Sequence, residues 1–424
     1  MNTAGNAWTK REYAMAAAVM TLMGGFYWAI RGTGGYGGET GGMLAGFGWA
    51  LLWYGFSRTG NGAGRRPYGG PWMMVAVTLG IALGGMTGYG VYISWVKGTY
   101  CFNYPDLCRP VSVWTGYGML FLCGLHWGGN VGCFMAWCAP QRPLRARDWA
   151  LRIGCGVAGA VGAAVFVRAF PNLFLPFYGE GVYQVAEYKT CVRALDSIHT
   201  IAPHVGLFLG FLAYEVMRGD WRAVAMILTM AFGFAIPFSV GGYWQTFNGS
   251  TLDISWWKNW EMTIGLGGGM AFGLAFWWFN RSGEAVRSAL GTKSKGLFQS
   301  GIPLWLPTVM VLKGLYEGRC EMAETEPAPL GYVVLLVFAA VFVVALALRQ
   351  RAAGEAGASP DGYTVSLGSL LACQVLIIIA GWAVTIPHVW HLANTVLAVL
   401  YVVYLGVSAA LLWRMYRSLC ASAG

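Results

Sequence analysis

Apolar stretches long enough to cross a bilayer recur along this chain from one end to the other, and that recurrence constrains the fold more than any motif does. A transmembrane helix needs roughly 17–25 apolar residues. About twelve such stretches can be marked, near 13–31, 41–57, 72–96, 111–138, 150–169, 198–217, 221–240, 261–279, 300–317, 331–348, 366–386 and 390–413. Backbone polar groups find no water in hydrocarbon, so a chain of this kind crosses as helices. The expected fold is therefore an all-α polytopic membrane protein of about twelve transmembrane helices. Of the 424 residues, 57% are hydrophobic and only 11% charged. A soluble domain carries about a quarter charged residues, and the even spread of apolar stretches also excludes a soluble domain on one anchor.

The net charge of +10 would suggest nucleic acid in a soluble protein. Here the basic residues sit in short connections between apolar stretches, where they act as topology signals, and no nucleic-acid partner is expected. With the N-terminus in the cytoplasm, 19 of the 28 Lys and Arg fall on cytoplasmic connections, and both termini are cytoplasmic. The nine exceptions are Arg31, Lys97, Arg109, Arg168, Lys189, Arg193, Lys258, Lys313 and Arg319. The first stretch follows Lys10 and Arg11 as a signal peptide would. It has no small-x-small cleavage site and runs into Gly-Gly and aromatics, so it reads as an uncleaved first helix. The expected location is a bacterial inner membrane, with the lipid bilayer as the chief partner. Cys101 and Cys108 share one external connection, where an oxidising compartment would permit a disulfide.

Internal similarity is the next signal. Stretches one and two read MTLMGGFYWAIRGTGGYGGETGGMLAGFGWALLWYGF. Stretches seven and eight read LTMAFGFAIPFSVGGYWQTF, a polar insert, then WWKNWEMTIGLGGGMAFGLAFWWF. Each is an apolar helix, a glycine- and aromatic-rich tip, a Glu (Glu39, Glu261), then a glycine-dense helix ending in aromatics. Repeats of one orientation, six stretches apart, imply two pseudo-symmetric six-helix halves, 1–217 and 218–424, with Gly-rich hairpin tips on the external face. That organisation is similar to the one in major facilitator transporters. The loop GFSRTGNGAGRRP resembles that family's cytoplasmic Gly-Asp-Arg-Gly-Arg motif, but lacks the Asp and has a different spacing. The fourth stretch also lacks the family's Arg, so the likeness is one of architecture.

Ionisable and polar groups near the tips or inside the helices are the candidate site residues. Arg31, Tyr36 and Glu39 belong to the first tip, whose run of glycines cannot hold a helix and could present backbone N–H groups to a ligand. The second tip offers Trp244, Gln245, Lys258, Asn259 and Glu261, where rings can stack on sugar C–H faces while polar groups take hydroxyls. An interfacial aromatic belt would explain the Trp alone. His126 and Asn130, four apart, share a helical face, and His204 lies just past Pro203. A buried His can relay protons, bind a polar solute, or merely join two helices.

These features favour a secondary transporter, ion-coupled or facilitative, of a small polar organic solute such as a sugar or sugar acid. No cofactor is expected beyond a coupling H⁺ or Na⁺, carried by Glu39, Glu261 or a histidine. One alternative is a membrane-embedded transferase acting on a lipid-linked substrate at the external face. Another is a structural or haem-binding subunit of a membrane complex, with His126 and His204 as axial ligands.

Overall fold

The computed structural model describes residues 8–31, 38–57, 66–140, 144–252, 254–281, 302–337, 340–341, 344 and 392–421. Its elements in order are α1 (Lys10–Arg31), α2 (Gly38–Ser57), α3 (Trp72–Gly85) and the short α4 (Ile93–Val96). A two-stranded hairpin follows, β1 (Thr99–Asn103) and β2 (Asp106–Pro110), then α5 (Val113–Trp137) and α6 (Ala146–Ala169). The chain continues with α7 (Lys189–Arg218), α8 (Trp221–Gly241), a 3-10 turn over Gly242–Phe247, and α9 (Trp256–Asn280). Two further helices cover Ile302–Met322 and Leu392–Ala421, and another begins at 329.

Among the described residues, six helices are long and apolar enough to cross a membrane, or seven if α3 and the Gly90–Val96 segment count as one bent span. The expected stretch near 72–96 is thus two pieces meeting at 52° rather than one straight helix. Gly84, Gly85, Gly88 and Gly90 crowd this point, and each costs helix about 1 kcal/mol relative to Ala. The stretch expected from 198 begins instead at Lys189. Its first turns are amphipathic, with Cys191, Ala194 and Ser197 buried while Arg193 and Asp196 are exposed, so a hydropathy window passes over them. The stretch expected at 366–386 lies outside the described residues.

Six helices close into a ring, in which α1 packs on α9, α9 on α8, α8 on α5, α5 on α3, α3 on α2, and α2 back on α1. The ring takes α1, α2, α3 and α5 from residues 1–217 and α8 and α9 from 218–424. Glycines set how close these helices come. Gly265, Gly269 and Gly273 fall four apart on one face of α9 and meet Gly24, Met20 and Ala17 of α1, backbone against backbone. Gly124, Gly128 and Gly132 of α5 likewise meet Ala235, Met230 and Ile227 of α8. The descending numbers show that both pairs are antiparallel.

Aromatic side chains fill the interior of the ring. Trp28, Trp49, Trp127, Phe234, Phe238 and Phe272 come from five of its helices, and all are wholly buried. The Trp28 ring lies 4.7 Å from Trp127, 5.5 Å from Phe234 and 5.6 Å from Phe238, and Trp49 lies 4.9 Å from Phe272. Toward the β-hairpin end, Tyr89 and Trp260 continue the column above Phe238. Toward the opposite end, Trp8, Trp53 and Phe56 close it around Phe276. A column of buried rings offers water few hydrogen-bond partners.

Outside the ring, α6 and α7 form an antiparallel pair through Gly159 and Gly206, and α7 leans on α5. Val157, Val161 and Val165 line an exposed face of α6, the pattern that lipid asks of a helix. Where α6 begins and α7 ends, the fully buried Arg152 donates to Glu215 at 2.6 Å, and its guanidinium lies 4.7 Å from the Trp149 ring.

Candidate functional site

The break between α3 and α4 organises the polar interior. Past Gly85 the chain leaves its helical ladder, and Thr87 Oγ donates back to the Gly84 carbonyl at 2.8 Å. The same hydroxyl lies 3.0 Å from His126 Nε2 and shares a hydrogen bond with it. The other ring nitrogen, Nδ1, is buried without a partner. One turn on, Asn130 Nδ2 donates to the His126 carbonyl at 2.9 Å and leans toward the His204 carbonyl at 3.4 Å. His204 Nδ1 donates to the Thr200 carbonyl at 2.8 Å, and the two imidazoles face each other with centroids 5.6 Å apart. Ser197 donates to the Gly88 carbonyl, so the break is fastened to α5 and α7 together.

On the other side of the break lies a cavity of about 620 Å³, at the end of the molecule that carries the β-hairpin. Gly90, Ser94 and Lys97 make one wall, and Lys189, Thr190 and Arg193 of α7 make another. Thr99, Cys101, Asn103 and Tyr104 bring in the hairpin. The hairpin is held by pairing of Cys101 opposite Cys108, a disulfide between them, and a hydrogen bond from the Tyr104 N–H to Thr190 Oγ at 3.2 Å. Gln245, Asn248 and Trp257 complete the lining.

The charged side chains lining this cavity are all cations. Lys97, Lys189 and Arg193 are exposed at its rim, and none of them pairs with a carboxylate among the described residues. Partial burial lowers the pKa of the Lys97 ammonium from the ordinary lysine value. Gln245 is 0% exposed; its Oε1 accepts from Asn248 Nδ2 at 3.0 Å, while its Nε2 has no partner. Trp257 stacks on Tyr89 at 6.4 Å and meets Trp260 edge-on at 5.3 Å. The cavity therefore sits over the upper end of the aromatic column.

The structure distributes the sequence-predicted residues unevenly. His126, Asn130 and His204 gather in one cluster, joined to the cavity through the broken segment. Gln245 lines the cavity, whereas its neighbour Trp244 is turned away, stacked on Trp256 at 5.9 Å and donating to Thr263 Oγ at 2.9 Å. Lys258 and Glu261 form an ion pair at 2.6 Å, and Lys258 also donates to the Ala29 carbonyl at 2.8 Å, which pins α9 to α1. Asn259 is half-buried one turn from Thr263, whose hydroxyl donates to its carbonyl. Glu39 is exposed in the first turn of α2. The Arg31 side chain and Tyr36 lie outside the described residues. Sequence reasoning missed Lys97, Lys189 and Arg193 as site residues. Their signal was present as exceptions to the cytoplasmic bias of positive charge.

The chain is similar to two curated proteins named inner membrane protein YcdZ. It is 28% identical over 139 residues to the one from Salmonella typhimurium strain LT2, which covers 31% of this chain and 81% of the relative. It is 26% identical over 136 residues to the one from Escherichia coli strain K12, covering 31% of this chain and 79% of the relative. No family model matches the chain. No solved structure matches it either. The likeness and the apolar helices together support a bacterial inner membrane protein.

Proposed function

We propose that the chain is a secondary transporter of a small polar organic solute, and that the cavity at the hairpin end is its binding site. The observation that carries this reading is position: a cavity lined by polar and cationic side chains stands over a ring of antiparallel helices closed by an aromatic column. A helix broken at the cavity wall is a recurring device of transporters, because irregular backbone in a membrane is tolerated where it lines a cavity. In this reading the hairpin end is external, the chain crosses about twelve times, and both termini are cytoplasmic. Alternating access then requires the column to part below the bound solute while the hairpin end closes above it.

A coupling proton fits the His126–His204 cluster better than either glutamate named from the sequence. The Glu261 carboxylate already pairs with Lys258, and Glu39 is exposed at a helix end. His126 keeps a bare, buried Nδ1 next to the break that must move. The test is thermal unfolding of the purified protein against sugars, sugar acids, amino acids and nucleosides, followed by uptake of any stabilising solute into proteoliposomes. A ligand that binds only the folded state raises Tm by mass action. Uptake that saturates, and that is abolished in His126→Asn if a proton gradient drives it, would support the reading. Stabilisation without any uptake would overturn it.

A further inference from the structure

We infer that the solute held at the hairpin-end cavity is an organic anion, with its acidic group taken by Lys97, Lys189 and Arg193 and a second oxygen by the Gln245 amide. The inference deepens the transporter reading by naming the substrate class of the same site, and its binding test stands without that reading.

Charge is the first argument. Lys189 and Arg193 are four apart on α7 and so share a face, and Lys97 stands across from them at the end of α4. Like charges on one helical face destabilise it, even where water screens them. A bound anion converts that repulsion into attraction. Among the described residues lining the cavity, no carboxylate does this already. The acidic residues nearest in sequence, Glu187 just before α7 and Asp196 on it, are exposed and are not part of the lining.

The Gln245 amide is the second and independent argument. A buried N–H group without an acceptor is costly, and native proteins rarely keep one without reason. In the orientation present, the Gln245 Oε1 is taken by Asn248 Nδ2 and the Nε2 donor is left over. An oxygen-rich ligand would satisfy the remaining donor. Ser94, Thr99 and Thr190 supply hydroxyls that can donate or accept, which suits the hydroxyl groups of a polyol body. At Gly90 an added Cβ would lie 3.2 Å from the Trp257 ring and 3.9 Å from Arg193 Nη2, so a side chain there would intrude between the stacking surface and the cation. A volume of about 620 Å³ lies within the usual range for small-ligand sites.

The test uses the full chain in a neutral detergent, with glucuronate, glucose 6-phosphate and glucose as probes, read by thermal unfolding and equilibrium dialysis. Both anions should bind and raise Tm while glucose does not, and their affinity should fall as salt rises. The double substitution Lys189→Gln with Arg193→Gln should weaken anion binding at least ten-fold, and Gln245→Leu should weaken it by a similar factor. Both variants should still melt cooperatively without ligand. Glucose binding as tightly as the anions would overturn the inference. So would unchanged anion affinity in the double variant, or failure of all three probes on a cooperatively melting protein. Stabilisation by phosphatidylglycerol and by neither soluble anion would assign the cations to a lipid headgroup, which also overturns it. Anion binding without proteoliposome uptake sinks the transporter reading and leaves the anion site standing. Glucose uptake at an unchanged rate in the double variant does the reverse.

Discussion

Thr87 and His126 meet across the break between α3 and α4, with Oγ and Nε2 3.0 Å apart in a wholly buried setting. The threonine hydroxyl also reaches the Gly84 carbonyl at 2.8 Å. This ties the bent span to α5. Thr87→Val keeps the shape and removes the hydroxyl, leaving an orphaned ring nitrogen in the core. The expected loss of stability is about 1–3 kcal/mol, and Thr87→Ser should restore most of it. Thermal unfolding of the three proteins checks this. If Thr87→Val melts as wild type does, the bond does not hold the break.

The glycine stripes predict a contrast within a single helix. A Cβ at Gly128 of α5 would collide with the Met230 carbonyl of α8, whereas nothing lies within 4 Å of the same position at Gly118. Gly128→Ala should therefore force the helices apart at a cost of about 1–3 kcal/mol. Gly118→Ala should be neutral or stabilising by up to about 1 kcal/mol through helix propensity. Gly265→Ala on α9, which meets the Gly24 carbonyl, should behave as Gly128→Ala does. Equal melting temperatures for the α5 pair would remove close approach as the reason for these glycines.

Helix positions were legible because a span in hydrocarbon must satisfy its own backbone, which imprints a length and a composition on the sequence. The glycine density of these helices was equally visible, but the stripes Gly124-Gly128-Gly132 and Gly265-Gly269-Gly273 and their partners were not read from it. Nothing local tells α9 to pack on α1, some 240 residues earlier, rather than on a nearer helix. The site was harder still. His126, Asn130 and His204 could be singled out because ionisable and amide groups are expensive inside a membrane. Lys97, Lys189 and Arg193 were passed over because each alone is an ordinary interfacial cation. Their meeting depends on the extra turns at the start of α7 and on the bend that swings α4 toward them. Gln245 and Trp244 are adjacent in sequence yet face different surroundings, which only the 3-10 turn over Gly242–Phe247 decides.

The lowered pKa of Lys97 gives the anion site a pH signature. Partial burial disfavours the ammonium, and a bound anion favours it, so binding raises the Lys97 pKa and takes up a proton wherever the free site has lost one. Affinity should hold at neutral pH and fall as pH rises through the depressed value, before the ordinary lysine range near about 10.4 is reached. Lys97→Arg should flatten that fall, because a guanidinium stays charged throughout. Glucuronate affinity measured across the alkaline range in both proteins checks the prediction. A fall of the same shape in Lys97→Arg would place the titration elsewhere.

Trp28 is the crossing point of the aromatic column, in ring contact with Trp49, Trp127, Phe234 and Phe238 from three other helices. If these rings are the seal that must part during transport, removing one should leave a leak that needs no solute. Trp28→Ala takes away a whole indole and should also cost about 3–5 kcal/mol as a buried cavity. Phe238→Ala removes a smaller ring next to the cavity floor and is the companion variant if the first does not fold. In proteoliposomes holding a pH-sensitive dye, either variant should dissipate an imposed proton gradient faster than wild type, and Trp28→Phe should not. A folded Trp28→Ala or Phe238→Ala as tight as wild type would mean that the barrier to permeation lies at another level of the ring.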